Sequence, residues 1–506
     1  MSEKKKVNKK LLISAILLLA GNLLLFLTIW MMGKYEKVYF DQFLFQMKSS
    51  SQGVHRELAN SAVTRVLGLG LIATGIEIFI YRILSGRVEK LKEKNKSYLK
   101  YCTSKACVFF QKKVLPIALC IFITATGILV SRLEIFAYAQ AVSTESGFIE
   151  LNYKNPNDVE LTFPKEKRNL IYIFLESMEN TFADKQNNSY NIDFIPELTA
   201  LANENISFSN TDGVGGILSF GGTNWTAAAM VSQTSGVTVK VPFSADAYGD
   251  NTVFIPGIVS IGEVLEKQGY NQTVLMGSDA YFHGRETYFT DHGNYNILDT
   301  KSLKATGRLD EDYREWWGFE DEKLFTFAKE ELTRLSKENK PFNFTMLTAD
   351  THFPNGYKCR LCKEKYDEQY ANVLGCSSKQ VAAFVEWIKT QDFYKNTTII
   401  ICGDHLTMDS DFLSGVDDDY VRTNYNCIIN SAVTTQKQNN RKFGSFDMFP
   451  TTLAAMGVKI KGERVGLGTN LFSNQKTLTE EYGFDVLNNE LKKQSKFYNR
   501  EFLGED

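Results

Sequence analysis

At 506 residues the chain exceeds one ordinary module, and its 43% hydrophobic and 13% aromatic content excludes wholesale disorder. Near-equal charge, 57 Lys+Arg against 59 Asp+Glu for a net -2, argues against a nucleic-acid binder or an acidic tail protein. That balance hides a split, because residues 1–139 hold 21 basic and 8 acidic side chains (+13) and residues 140–506 hold 36 and 51 (-15).

The mean hydropathy of -0.22 averages an apolar N-terminal region with a polar remainder. Three apolar runs predict membrane-spanning helices at about 11–32, 63–83 and 114–135, each near the ~20 residues that a ~30 Å hydrocarbon core requires. Gly33-Lys34-Tyr35-Glu36 after the first run is not a small-residue cleavage site, so the reading is a retained anchor rather than a signal peptide. Lys4, Lys5, Lys6, Lys9 and Lys10 precede the first span. Arg87, Lys90, Lys92, Lys94, Lys96, Lys100, Lys105, Lys112 and Lys113 lie between the second and third, against Glu89 and Glu93 alone. The positive-inside rule puts both stretches in the cytoplasm and everything beyond about Ile135 outside the cell. The aromatic segment Val38–Met47 reads either as an outer-interface helix or as an extension of the helix pair, and Glu77 as an intramembrane acid facing Arg65 or a neighbouring helix.

Residues 140–165 read as a polar linker and 166–506 as one extracytoplasmic domain. Asn169–Leu175 is an almost unbroken apolar run, the signature of a strand buried on both faces of a parallel sheet. Thr273–Met276, Phe344–Thr348, Thr397–Cys402 and Asn426–Asn430 repeat the pattern. Helices are expected at Ile261–Gln268, Glu320–Glu338 and Ser378–Thr390, the last with a Val381, Phe384, Val385 and Ile388 stripe behind a Ser377/Ser378 cap. Alternating strands and helices predict an α/β fold, and ligands of such sheets bind beyond the carboxyl ends of the strands. Polar groups cluster there: Glu176-Ser177, Gly277-Ser278-Asp279, Asp350-Thr351-His352 and Gly403-Asp404-His405.

Asp404 and His405, adjacent at a strand end, are placed to offer carboxylate oxygen and imidazole nitrogen to one cation, a donor set suited to Mn²⁺ or Mg²⁺, with Zn²⁺ the lesser alternative. Leu218-Ser-Phe-Gly-Gly-Thr-Asn-Trp-Thr226 precedes an apolar stretch from Ala227 that reads as a helix. A hydroxyl beside glycines at a helix N-terminus is placed to attack a bound phosphate, which makes Thr223 the expected nucleophile once a metal stabilises its alkoxide.

With Leu175-Glu-Ser-Met-Glu-Asn-Thr181, Gly221-Gly-Thr-Asn-Trp-Thr226, Phe282-His-Gly-Arg285, Trp316-Trp-Gly-Phe319, Asp350-Thr-His-Phe-Pro354, Gly403-Asp-His405 and Gly466-Leu-Gly-Thr-Asn-Leu-Phe472, the chain resembles the membrane-anchored phosphoglycerol transferases of the alkaline phosphatase/sulfatase superfamily, which include the lipoteichoic acid synthases. The Leu-Glu-Ser and Gly-Gly-Thr-Asn-Trp-Thr forms are closer to the glucan and polysaccharide branch. The resemblance implies a central, mostly parallel sheet flanked by helices, with Glu176, Thr223, Asp404 and His405 holding one divalent cation. It implies that Thr223 carries the glycerophosphate covalently, and that Arg285, His352, His283, Ser278 and Trp316 line the substrate pocket. His283 stands where teichoic acid synthases carry Trp, and Met276 where they carry His. The implied donor is the membrane lipid phosphatidylglycerol, with diacylglycerol released, and the implied acceptor a cell-envelope glycan or polyol phosphate; no nucleic acid is involved.

A phosphoethanolamine transferase shares the fold and the Thr nucleophile. A sulfatase-type hydrolase would need Cys or Ser in a C/S-x-P-x-R setting, which is absent here. A catalytically dead, polymer-binding homologue is the non-enzymatic rival. Of eight cysteines, Cys359, Cys362 and Cys376 cluster in the outer domain, where an oxidising exterior predicts a disulfide between two of them, and Cys402 and Cys427 read as buried core thiols.

Overall fold

Six of the seven side chains from Asn169 to Leu175 are buried in succession, and this strand, β1, lies inside the main sheet. Its companions are β2 (Asn271–Met276), β3 (Asn296–Leu298), β4 (Phe342–Leu347), β5 (Thr397–Gly403) and β6 (Asn426–Ile429). The order across the sheet is β3-β2-β4-β1-β5-β6, with every neighbouring pair parallel except the β5–β6 edge. The computed structural model describes residues 9–35, 37–48, 56–92, 98–242, 253–409 and 411–505. Lys4, Lys5, Lys6, His55, Glu93, Lys94 and Lys96 lie outside the described residues.

The chain divides into two compact units, one of residues 1–40 and 55–137, the other of residues 41–54 and 138–506. The first unit contains α1 (Lys9–Met32) and, further along, the helices Leu69–Lys92 and Tyr98–Arg132. Among the described residues, three stretches are long and apolar enough to cross a membrane: Lys9–Met32, Ala59–Ile83 and Lys112–Arg132. The third stops at Arg132 rather than 135, because Glu134 adopts the left-handed φ of 52° and breaks the helix. Glu77 does meet a neighbouring helix, but its partner is Asn22, whose Nδ2 donates to Glu77 Oε2 (2.9 Å) and Thr74 Oγ1 (3.0 Å).

In the second unit, α2 (Phe40–Lys48) turns Leu44 and Phe45 inward. Phe45 is 1% exposed, packed on Trp225 and Phe254, so this segment covers protein rather than lying on lipid through these two side chains. The stretch 140–165 is not a free linker: Tyr153 packs on Phe502, and Leu161–Thr162 pairs antiparallel with Lys459–Ile460.

Helices flank the main sheet. α3 (Pro196–Glu204) is followed by α4 (Thr226–Ser235), α5 (Asp321–Leu335) and α6 (Gln369–Lys389). Val381, Phe384, Val385 and Ile388 are all buried, as the stripe predicts, and join Leu324, Phe325 and Leu332 of α5 in the core under β1 and β4. Full burial of such a side chain is worth about 1.5–3 kcal/mol. The helix α6 begins nine residues before the expected Ser378 cap. Ser378 caps a different helix: its Oγ accepts from Glu197 N and Leu198 N (both 3.1 Å) in the first turn of α3.

Candidate active site

The carboxyl ends of β1 and β5 bring Glu176, Asp404 and His405 together, each 3% exposed or less. Their registered pairing, Leu175 opposite Gly403, places the next residue of each strand side by side. Gly403 is required at this crossing, because a Cβ there would lie 1.9 Å from the Met178 carbonyl oxygen. His405 Nε2 lies 3.4 Å from Glu176 Oε1 and 3.6 Å from Asp404 Oδ2, while Nδ1 faces the Leu406 carbonyl at 2.8 Å. An Nδ1–H held by a carbonyl presents the lone pair of Nε2 to the cluster.

The fit to a cation rests on Asp404. Its Oδ1 accepts from Ser177 N (2.8 Å) and His405 N (2.6 Å), whereas its Oδ2 is buried without a hydrogen-bond partner. A buried carboxylate oxygen without a partner is costly unless a positive charge meets it. One ligand atom from each of the three residues lies within 4.8 Å of the others. The 3.4 and 3.6 Å separations match the edges of a ligand polyhedron with bonds of about 2.1 Å. Glu176, Asp404 and His405 therefore fit a divalent cation.

The electrostatics agree. Burial opposes ionisation of Glu176, yet His352 and His405 hold its carboxyl at about 2. Burial and then Glu176 push Asp404 up to about 7. Burial disfavours the charged His405, but Asp404 and Glu176 override it and raise the imidazole to about 10. A pocket that draws a proton onto histidine this strongly is a pocket prepared for positive charge.

Thr223 is not brought to this point. Its backbone N–H and its hydroxyl both donate to the Phe220 carbonyl, at 3.1 and 3.0 Å, and its Oγ1 accepts from Phe220 N at 3.2 Å. The turn closes because Gly222 takes φ +75°, and a Cβ there would lie 2.3 Å from the Val239 carbonyl oxygen. Two hydroxyls reach the cluster: Ser177 Oγ donates to Glu176 Oε1 (2.7 Å), and Thr226 Oγ1, at a helix N-terminus, stands 3.3 Å from Glu176 Oε2 and 3.4 Å from His405 Nε2. Thr226 is the first residue of α4, one residue earlier than the expected helix start, with Trp225 as its N-cap. Its hydroxyl thus sits in the positive field of the helix N-terminus, and Ala227 to Ser235 behind it are all buried.

Around this centre lie the other expected residues. Arg285 is buried and aimed from behind, its Nε donating to the Phe282 carbonyl (3.0 Å) and its Nη2 to Ser278 Oγ (3.1 Å) and the Asp279 carbonyl (2.9 Å). Burial lowers its guanidinium to about 10 against the pull of Glu176, Asp279, Asp299 and Asp404. His352 stacks on Phe353, contacts the Phe353 carbonyl through Nδ1 (2.6 Å) and lies 4.7 Å from the Trp317 ring. Trp316 Nε1 donates to the Ala349 carbonyl (3.2 Å) and its ring stacks on Tyr357. His283 stacks on Phe282 and meets Gln46 Oε1 at 2.6 Å, and Gln42 of the same helix donates to the Asn224 carbonyl (3.1 Å). α2 thus props the turn that holds Thr223 and Thr226. Sequence reasoning gave no sign of this, since the partners lie some 180 or more positions apart.

The model of the family described as Sulfatase matches residues 168–458. A relative named phosphoglycerol transferase I from Escherichia coli (strain 55989 / EAEC) is 33% identical over 264 residues, 51% of this chain and 33% of the relative. Another of that name from Shigella flexneri is 32% identical over 333 residues, 64% and 41% of the two chains. These matches span only about a third to two fifths of the relatives' length. Among solved structures, the lipoteichoic acid synthase LtaP from Listeria monocytogenes is 20% identical with a TM-score of 0.47, over 64% of this chain and 80% of that one. The lipooligosaccharide phosphoethanolamine transferase A from Neisseria meningitidis is 13% identical with a TM-score of 0.49, over 88% and 84%.

Proposed function

This chain belongs to the sulfatase family, and from that premise we propose that it is a membrane-anchored phosphotransferase that moves sn-glycerol-1-phosphate from phosphatidylglycerol to a cell-envelope glycan or polymer. The observation that carries the reading is the Thr226 hydroxyl, held between Glu176 and His405 beside the partnerless Asp404 Oδ2. The names of the relatives from Escherichia coli and Shigella flexneri favour glycerophosphate as the group transferred. The domain from about residue 140 is proposed to face the cell exterior, where the outer leaflet supplies the donor.

Glu176, Asp404 and His405 would hold one divalent cation, Mn²⁺ or Mg²⁺ in this reading, which when bound supplies charge neutralisation for phosphate and acidifies a neighbouring hydroxyl. The chain's own groups do the rest. Thr226 Oγ1 attacks phosphorus, and its proton has a first acceptor in Glu176 Oε2 at 3.3 Å. A Thr226–phosphorus bond forms as the bond to the diacylglycerol oxygen breaks, and His352 protonates that oxygen as it departs. Arg285, its Nε and Nη2 held by Phe282, Ser278 and Asp279, turns its Nη1 donors to the phosphate oxygens, a fixed presentation that lysine lacks. An acceptor hydroxyl then displaces Thr226 from phosphorus, giving up its proton to His352, while the departing Thr226 oxygen takes back its proton from Glu176, so the enzyme returns to its starting state.

The test is release of diacylglycerol from phosphatidylglycerol vesicles by the purified full chain with Mn²⁺. Activity lost in Thr226→Ala supports the reading, and activity undiminished in that variant contradicts it. Preference for phosphatidylethanolamine would instead assign the phosphoethanolamine branch, and no turnover of either lipid by a cation-loaded protein would leave the polymer-binding homologue.

A further inference from the structure

The second cluster of chemistry-bearing side chains lies in the segment 348–368, which joins β4 to α6 and carries His352. Connections beyond about 12–15 residues without regular structure are uncommon unless something ties them down. Cys359 and Cys362 lie on this segment and Cys376 on α6. No disulfide joins them: the expected bond is absent, and all three are free thiols. The Cys359 sulfur lies 3.6 Å from that of Cys362 and 3.8 Å from that of Cys376, with all three within 4.8 Å of one another. A disulfide needs about 2.05 Å. A tetrahedral ion with bonds of about 2.3 Å holds its sulfur ligands about 3.8 Å apart.

The surroundings match a thiolate–metal unit. Cys362 N–H donates to the Cys359 carbonyl at 3.1 Å, so the C-x-x-C pair closes a tight turn with both sulfurs on one side. Gln380, one turn beyond Cys376, directs its carboxamide at the Cys376 sulfur (3.5 Å) and the Cys359 sulfur (3.9 Å), as an N–H donor to anionic sulfur does. Cys359 and Cys376 are buried and Cys362 half-buried, which leaves one side for a solvent ligand.

We propose that Cys359, Cys362 and Cys376 form a soft-metal site that takes Zn²⁺ through three thiolates and pins the segment bearing His352 to α6. It is distinct from the carboxylate–histidine centre, because sulfur donors select zinc where oxygen donors suit magnesium or manganese. The ion is structural: it tethers the segment that aims His352.

Cobalt separates the two sites, since only a sulfur-ligated ion gives an intense thiolate-to-cobalt charge-transfer band in the near ultraviolet. The full chain in detergent, reduced and stripped with chelator, is titrated with Co²⁺. The expected result is a band that saturates at one equivalent, persists in Glu176→Gln, is bleached by Zn²⁺ and is lost in Cys362→Ser. Zn²⁺ should also slow proteolytic cleavage between Lys358 and Lys365 at least tenfold. No band from protein in which Cys359, Cys362 and Cys376 all alkylate overturns the proposal. So does protein purified without reductant that is two hydrogens lighter and in which only one of these three cysteines alkylates, the signature of a disulfide. Should Cys362→Ser fail to fold, the wild-type band and its stoichiometry decide the matter alone. None of these readouts depends on transferase activity.

Discussion

The two candidate cation sites of this chain differ in almost every respect. The carboxylate–histidine centre is built on the ends of two adjacent parallel strands, where register alone sets Glu176 beside Asp404, and a helix adds Thr226. The thiol cluster is built on a long irregular segment and one helix, where a single tight turn and a few hydrogen bonds to the helix set the spacing. A site on rigid strands can hold two carboxylates side by side, as the raised Asp404 beside Glu176 shows. A site on a loop needs its ion for its shape. The first is therefore fitted to chemistry and the second to structure.

The largest effect that would break this contrast is at the nucleophile. Thr226→Ala should reduce diacylglycerol release on the order of a thousandfold or more, whereas Thr223→Ala, which removes the two hydrogen bonds its hydroxyl makes with Phe220, should keep most of the rate in the same assay. Next is Arg285→Lys, expected to lower kcat/KM roughly a hundredfold, because the ammonium cannot reproduce that fixed presentation of donors to phosphate. Steady-state kinetics with vesicles of varied phosphatidylglycerol content would measure it.

A smaller effect tests the brace next to the thiol segment. Asp321 accepts from Ala349 N (2.7 Å) and Asp350 N (3.2 Å), and Asp350 Oδ1 accepts from Asp321 N (3.1 Å), while Asp350 Oδ2 is buried without a partner. Burial and then Asp321 raise Asp350 to about 10. A carboxyl whose folded pKa lies above its unfolded value contributes stability present at low pH and lost as pH rises between the two. Wild type should therefore lose stability on the order of 1 kcal/mol or more from pH 6 to 9, and Asp350→Asn should flatten that slope, as chemical denaturation at each pH would show. The smallest effect is at α2: Gln46→Ala, removing the partner of His283, should raise KM about two- to fivefold with little change in kcat, since a wall contact acts on binding.

Much of this was legible in the sequence. The unbroken apolar runs of β1 and β5 and the acids that end them marked both the sheet and the candidate metal cluster, because a strand buried on both faces admits no polar interruption before its end. The proposed nucleophile moves from Thr223 to Thr226 for a local reason. The rule that a hydroxyl at a helix N-terminus meets phosphate was sound, but α4 begins at Thr226, so the rule selects that residue and not Thr223. Ser378 shows the same limit from the other side: a capping residue was recognisable, but the helix it caps lies about 180 residues away. The burial of Phe45 in α2 was likewise invisible, since an aromatic helix between two membrane spans has the same composition whether it meets lipid or Trp225.

The account turns on which hydroxyl the site activates. The decisive measurement is fragment-ion mass spectrometry of protein quenched during turnover of phosphatidylglycerol without acceptor. A glycerophosphate adduct on Thr226 is the predicted result; an adduct on Thr223, or turnover with no adduct on either residue, would contradict it.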